Sequence, residues 1–260
     1  MKKDKIFLIF LVIIFVSINY NFLDSILEEN FGEQREFGIV ERVVDGDTIH
    51  ALVNGEDWTI RLLGINTPEK GEKYSELAKE FLEKAILNKT VELRFGKEKY
   101  DRYNRVLAYI FYKGANINLN VVEEGYANFY FPSGKDIYYK EFFGAWEHCL
   151  EVGNYLCEKS RESCVELKDF NSKKEIIVLK NKCSSGVNLE NWEIKDEGRK
   201  KFIFTKLVLG AGKEISIITG EGVDTQEKLY WSGQDYVWTD TGDTFFLRDS
   251  EGKLVLWKSY

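Results

Sequence analysis

The residues with the types and spacing to carry out chemistry lie between positions 45 and 105. Asp45 and Asp47 flank Gly46 in what reads as a tight turn, and Arg61-Leu62-Leu63-Gly64-Ile65-Asn66-Thr67-Pro68-Glu69 follows. Arg61 is expected near the end of a strand, with Asn66, Thr67 and Glu69 in the turn beyond it. Strands paired as hairpins would bring Asp47 to that turn, gathering carboxylate, amide and carbonyl oxygens at one end of a barrel. Such hard oxygen ligands suit Ca²⁺ or Mg²⁺, not Zn²⁺. Arg105 follows a second polar turn, Asp101-Arg102-Tyr103-Asn104. Two arginines beside a divalent cation suit phosphoryl chemistry, because the guanidinium fork matches phosphate oxygens and stabilises charge growing in a five-coordinate transition state. Each piece alone has a plainer meaning. Asp-Gly-Asp is usually a hairpin turn, and Thr-Pro-Glu usually starts a helix. Only the ordered combination is specific.

The flanking periodicities supply a frame for these side chains. Glu36 to Val44, Thr48 to Val53 and Trp58 to Leu63 are β-rich, separated by Asp45-Gly46-Asp47 and Asn54-Gly55. Leu77, Phe81, Leu82, Ala85 and Ile86 follow helical spacing from about Lys73 to Leu87. Strands are predicted at Val91–Phe95 and Arg105–Tyr112, and helices at Asn118–Glu124 and Lys135–Glu151, each ended by a glycine. Five short strands with a few helices suit a small α+β barrel.

Three blocks together are similar to the staphylococcal nuclease-like (thermonuclease) family: Val43-Val44-Asp45-Gly46-Asp47-Thr48, Ile60 through Glu69, and Asp101-Arg102-Tyr103-Asn104-Arg105-Val106-Leu107-Ala108-Tyr109. The likeness covers about 36–155 of a domain placed at 36–160. It implies an OB-fold-type five-stranded barrel and Ca²⁺-dependent hydrolysis of DNA and RNA phosphodiesters. Carried over residue by residue, Asp47 and the Thr67 carbonyl would be metal ligands, with Asp45 as support. Glu69 would take a proton from the attacking water or orient it. Arg61 and Arg105 would hold the phosphate, and Tyr103 would contact the nucleotide. Asn66 stands where the family's best-studied member has an aspartate ligand. It keeps an oxygen but removes a negative charge, which leaves another divalent cation open.

The chain has 260 residues, 44% of them hydrophobic, which excludes wholesale disorder. Its net charge of −7 excludes a globally basic nucleic-acid binder. Two His and four Cys without C-x-x-C argue against His-rich metal clusters and zinc fingers. Residues 36–160 hold 16 basic and 21 acidic side chains, so any nucleic-acid site there must be local. Lys70, Lys73, Arg102 and Lys135 are candidates to ring the cleft. Tyr126, Phe129, Tyr130 and Phe131 would stack unpaired bases or pack a core strand, with Tyr130 the candidate for substrate. Single strands or RNA are favoured over rigid duplex.

Residues 165–260 change character, with short β-runs between Gly, Asp and Asn turns. This spacing reads as an all-β sandwich. The run from Asn188-Leu189-Glu190-Asn191-Trp192 through Val237-Trp238-Thr239-Asp240 to Leu254-Val255 resembles a lamin-tail domain, an immunoglobulin-like sandwich, over about 163–260. That resemblance implies contact with nucleic acid, membrane or protein. Gly198-Arg199-Lys200-Lys201 reads as a basic loop that would touch phosphate or as a solvated hairpin tip.

Ile6 to Leu23 carry no charge and follow Lys2, Lys3 and Lys5. This reads as an export segment, either an uncleaved membrane anchor or a cleaved signal peptide, with residues 24–35 as a polar tether. Cysteines fit an oxidising compartment. A hairpin pairing Lys168 with Leu179 sets Cys164 opposite Cys183, leaving Cys149 for Cys157. The reading is an exported, metal-dependent nuclease, expected as a monomer. The alternative is a non-catalytic nucleic-acid-binding or surface-adhesion module on the same scaffold. In the nuclease reading, deleting residues 165–260 should leave activity on free DNA.

Overall fold

The chain reverses at Gly46, and the turn leaves no room there for a side chain. A Cβ there would lie 2.6 Å from the Ala78 Cβ and 2.8 Å from Thr67 Cγ2. The computed structural model describes residues 35–260, and the segment at 6–23 expected to direct export lies outside them. No helix among the described residues is long and apolar enough to cross a membrane.

Strands β1 (Arg35–Asp45), β2 (Thr48–Val53) and β3 (Glu56–Leu62) form an antiparallel meander. A short strand β4 (Gly64–Asn66) and helix α1 (Ser75–Ile86) follow. Then come β5 (Thr90–Tyr100), β6 (Val106–Tyr112), the two-residue β7 (Ala115–Asn116), helix α2 (Ile117–Glu123), β8 (Asn128–Tyr130) and helix α3 (Tyr139–Val152). β6 pairs with β5 on one side and runs parallel to β3 on the other, closing β1, β2, β3, β5 and β6 into the expected five-stranded barrel. Alternate residues Ile49, Ala51 and Val53 of β2 point inward, as strand pleating requires. Ala78, Leu82 and Ile86 stack on one face of α1 and cover the barrel. Helix α3 starts later than the predicted Lys135. Asp136 accepts hydrogen bonds from the Tyr138 backbone and the Tyr109 hydroxyl, which holds the preceding residues in a turn.

The C-terminal part is built from two four-stranded sheets. One holds β9 (Val165–Asn171), β10 (Ile176–Asn181), β15 (Glu214–Thr219) and β16 (Lys228–Trp231). The other holds β12 (Glu193–Lys195), β13 (Lys201–Ile203), β17 (Thr244–Arg248) and β18 (Leu254–Ser259). A small pair, β11 (Val187–Asn188) with β14 (Val208–Leu209), completes it. Ile177, Leu179, Ile194, Phe204, Ile217, Phe245 and Leu247 fill the interior, in keeping with the expected immunoglobulin-like sandwich.

Both cysteine pairs are formed, with Cα–Cα separations of 5.7 Å for Cys149–Cys157 and 5.2 Å for Cys164–Cys183. The register leading to Cys164 differs from expectation. Val178 faces Asp169, but Leu179 faces Leu167, so Lys168 bulges out where it was expected to pair. The ladder then shifts by one residue, and Lys182, not Cys183, donates to the Cys164 carbonyl at 2.8 Å. Cys183 remains within bridging distance.

The two parts share a core. Phe246 and Leu254 belong to the cluster that fills the barrel region, and Trp257 packs on Phe143 and Trp146 of α3. The connecting segment is stitched to β18, with Leu254 donating to the Glu158 carbonyl and Ser160 to the Leu254 carbonyl, each at 2.8 Å. Residues 37–260 accordingly form one compact unit.

Candidate active site

The Gly46 turn, the end of β3 and the turn after β4 meet at one place. Asp47 is 4% exposed there, and both of its carboxylate oxygens are engaged. Oδ1 accepts from the Thr48 hydroxyl at 3.1 Å. Oδ2 accepts from the Thr67 backbone N–H at 3.1 Å and the Thr67 hydroxyl at 3.0 Å. The Arg61 guanidinium lies 3.0 Å from the same oxygen. Arg61 is equally buried and is fixed by the Leu62 carbonyl at 2.8 Å and the Asn66 Oδ1 at 3.3 Å. Asp45 sits behind, accepting from the Asp47 backbone at 3.0 Å. Burial and the neighbouring Asp47 charge push the Asp45 carboxyl above its ordinary value.

Asn66 is turned differently from expectation. Its Oδ1 faces Arg61, but its amide donates to the carbonyls of Gly198 at 2.7 Å and Glu197 at 3.2 Å. The basic loop between β12 and β13 is therefore docked on the barrel and is not a solvated hairpin tip. Asn128 of β8 donates to the Glu197 carbonyl at 2.9 Å, and the Glu197 carboxylate accepts from the Phe131 backbone at 3.1 Å. Arg199 Nε lies 2.6 Å from Glu69 Oε1, and Lys201 Nζ lies 2.5 Å from Glu72. Sequence reasoning missed this loop as part of the site. Its one legible signal was the run of basic residues.

Arg105 lies apart in its own cluster. Asp101 accepts from its backbone at 2.9 Å and pairs with its guanidinium at 2.7 Å. The guanidinium groups of Arg102 and Arg105 lie 4.8 Å and 5.5 Å from the centre of the exposed Tyr103 ring. β3 and β6 carry this cluster alongside the first, with Arg61 opposite Leu107. Arg105 is two residues before that partner, roughly 7 Å along the strand.

Tyr130, the expected base-stacking ring, is half-buried, and the Gly198 backbone closes on it. Burial and the Asp196 charge push its hydroxyl above the ordinary value. Phe129 and Phe131 are core residues, and Tyr126 stacks on Tyr155. Among the proposed cleft lysines, Lys73 donates to the Glu251 carbonyl at 2.8 Å and Lys135 lies over the Tyr139 ring.

Among the described residues, no group of three or more His, Cys, Asp or Glu is placed to hold a metal. The donor set at Asp47 still fits a hard cation. Two neighbouring carboxylates, Asp45 and Asp47, lie near a single guanidinium, and the Asn66 Oδ1 and Thr67 hydroxyl add uncharged oxygens.

Comparison with known proteins finds relatives of both parts of the chain. Residues 59–149 match the family described as staphylococcal nuclease homologue, and residues 160–260 match the lamin tail domain. A thermonuclease of Staphylococcus intermedius is 32% identical over 146 residues, covering 52% of this chain and 87% of that protein. An uncharacterized protein of Methanocaldococcus jannaschii is 37% identical over 142 residues, covering 44% of this chain and 67% of its own length. An uncharacterized endonuclease of Haemophilus influenzae is 39% identical over 90 residues, 34% of this chain and 49% of that protein.

Proposed function

We propose a metal-assisted phosphodiesterase from one premise: the chain belongs to the staphylococcal nuclease family and carries a lamin tail domain behind its barrel. The observation that carries the reading is the buried group of Asp47, Arg61, Asn66 and Thr67, with Glu69 at its rim. Asp47, the Asn66 Oδ1 and the Thr67 carbonyl would hold the cation, with Asp45 behind them. The cation would neutralise phosphate charge and favour ionisation of water. Ca²⁺ is the favoured ion, and Asn66 leaves Mg²⁺ open because it removes one charge from the site.

The chain's own groups do the rest. Arg61 is immobilised by three partners and so presents a preorganised cation to a scissile phosphate. Arg105 and Tyr103 would grip the phosphate and base beside it, with Arg102 adding charge. Glu69 would take or direct the proton of the attacking water. DNA or RNA is the substrate, with single strands favoured because a splayed backbone reaches a recessed site more readily. Export fits the two disulfides and the uncharged N-terminal stretch, with residues 6–23 as anchor or cleaved signal.

The test is hydrolysis of single-stranded DNA with Ca²⁺, Mg²⁺ or chelator, using the full chain, Glu69→Ala and Arg105→Ala. Cation-dependent cutting that falls by about 10²-fold or more in both variants is expected. Binding without cutting under every cation would instead support the non-catalytic module.

A further inference from the structure

The lamin-tail loop reaches into the nuclease site, and one of its side chains is placed to meet substrate there. The loop is held in three ways. The Asp196 carboxylate accepts from the Lys200 backbone at 2.9 Å and closes the turn. The Asn66 amide donates to two of the loop's carbonyls. The Glu197 carboxylate is tied to the Phe131 backbone and the Thr244 hydroxyl, at 3.1 Å and 2.6 Å. This fixed turn extends Arg199 to Glu69, the expected base. The Arg199 side chain is 58% exposed, so its cation faces solvent at the rim of the site.

An acidic domain needs local positive charge to draw in a polyanion. An exposed arginine–carboxylate pair is weak in water. A phosphodiester is an equivalent partner for the same guanidinium. A strand entering the site would therefore exchange Arg199 from Glu69 onto a phosphate and leave the carboxylate free to act on water.

Resting on the nuclease reading of this site, we propose that Arg199 of the lamin tail domain is a phosphate-contacting residue of the nuclease. Asn66 is the positioning residue that locks its loop in place. The departure from aspartate then has a structural reason. A carboxylate at position 66 would set oxygen against the Glu197 and Gly198 carbonyls and could donate no hydrogen bond to either.

The experiment measures binding of a fluorescein-labelled single-stranded oligonucleotide to the full chain, in chelator, across a salt series. Steady-state kinetics with Ca²⁺ or Mg²⁺ run in parallel. Arg199→Ala should weaken binding about five- to twenty-fold and make the slope of log affinity against log salt shallower by about 0.7. Its KM should rise while kcat changes less than about three-fold. Arg199→Lys should keep most of the salt slope. Asn66→Asp should weaken binding similarly, and adding Arg199→Ala to it should cost little more, because both act through one loop. An unchanged melting temperature for Arg199→Ala would show that the loss is not one of folding. Binding and KM equal to wild type would overturn the proposal, as would faster cutting by Arg199→Ala, which would make the loop a plug. If wild type binds without cutting but Arg199→Ala still loses affinity and slope, the nuclease reading fails and the phosphate contact stands.

Discussion

The nuclease part and the lamin-tail part bury carboxylates by opposite means. In the barrel, buried Asp47 is set directly against the guanidinium of Arg61. In the sandwich, the buried acids Asp196, Glu197 and Asp243 are held by backbone N–H groups and a hydroxyl. Desolvation and mutual repulsion outweigh those bonds, pushing Asp196 up to about 7 and Glu197 up to about 8. The first arrangement sets a carboxylate and a guanidinium side by side. The second uses polar groups to shape a turn and dock it. In the proposed reading, this difference would let one domain carry the reaction and the other shape its rim.

The comparison breaks most sharply if the parts are separable. Phe246 and Leu254 are lamin-tail residues within the barrel's core cluster. Phe246→Ala should cost about 3–5 kcal/mol, the usual range for removing a buried aromatic ring. Urea unfolding should show the loss in a single transition, whereas two separate transitions would mean two independent domains. For the same reason, truncation at residue 164 is expected to destabilise the barrel and weaken substrate binding, contrary to the expectation from sequence that activity would survive it.

The disulfides sharpen the comparison, since each part has its own. Cys149–Cys157 closes a separation of 8 residues and Cys164–Cys183 one of 19. Loop entropy gives each about 2–4 kcal/mol, with the longer loop ahead by about 0.8 kcal/mol. Paired Cys→Ser variants, compared by urea unfolding, should rank in that order.

The parts also differ in pH dependence. Asp196 and Glu197 bind protons more tightly folded than unfolded, so their stabilising contribution is complete below about pH 4 and is lost as pH rises towards 8. The melting temperature should therefore fall across that window. Glu197→Gln should flatten the drift, because an amide does not titrate. An equally steep profile in that variant would remove Glu197 as its source.

Much of the barrel was legible in the sequence. The Asp45–Asp47 and Asn54–Gly55 turns and the alternation in β2 are local patterns, and local backbone chemistry fixes them; on α1, Leu82 and Ile86 are buried as expected, but Leu77 is exposed and Ala78 takes its place. The start of α3 was misplaced because Asp136 is recruited by Tyr109, a residue 27 positions away. The bulge at Lys168 left no mark in the pattern around it.

The sequence by itself determined the residue types of the site, their order and the two folds that carry them. Only the tertiary structure decided what Asn66 touches and where Arg199 lies. The Asn66 amide meets carbonyls 131 and 132 positions along the chain. Backbone carbonyls are chemically alike in every residue, so nothing in the sequence marks which of them will become partners. That choice is made when the apolar surfaces of β17, β18 and α3 bring the two sheets and the barrel together.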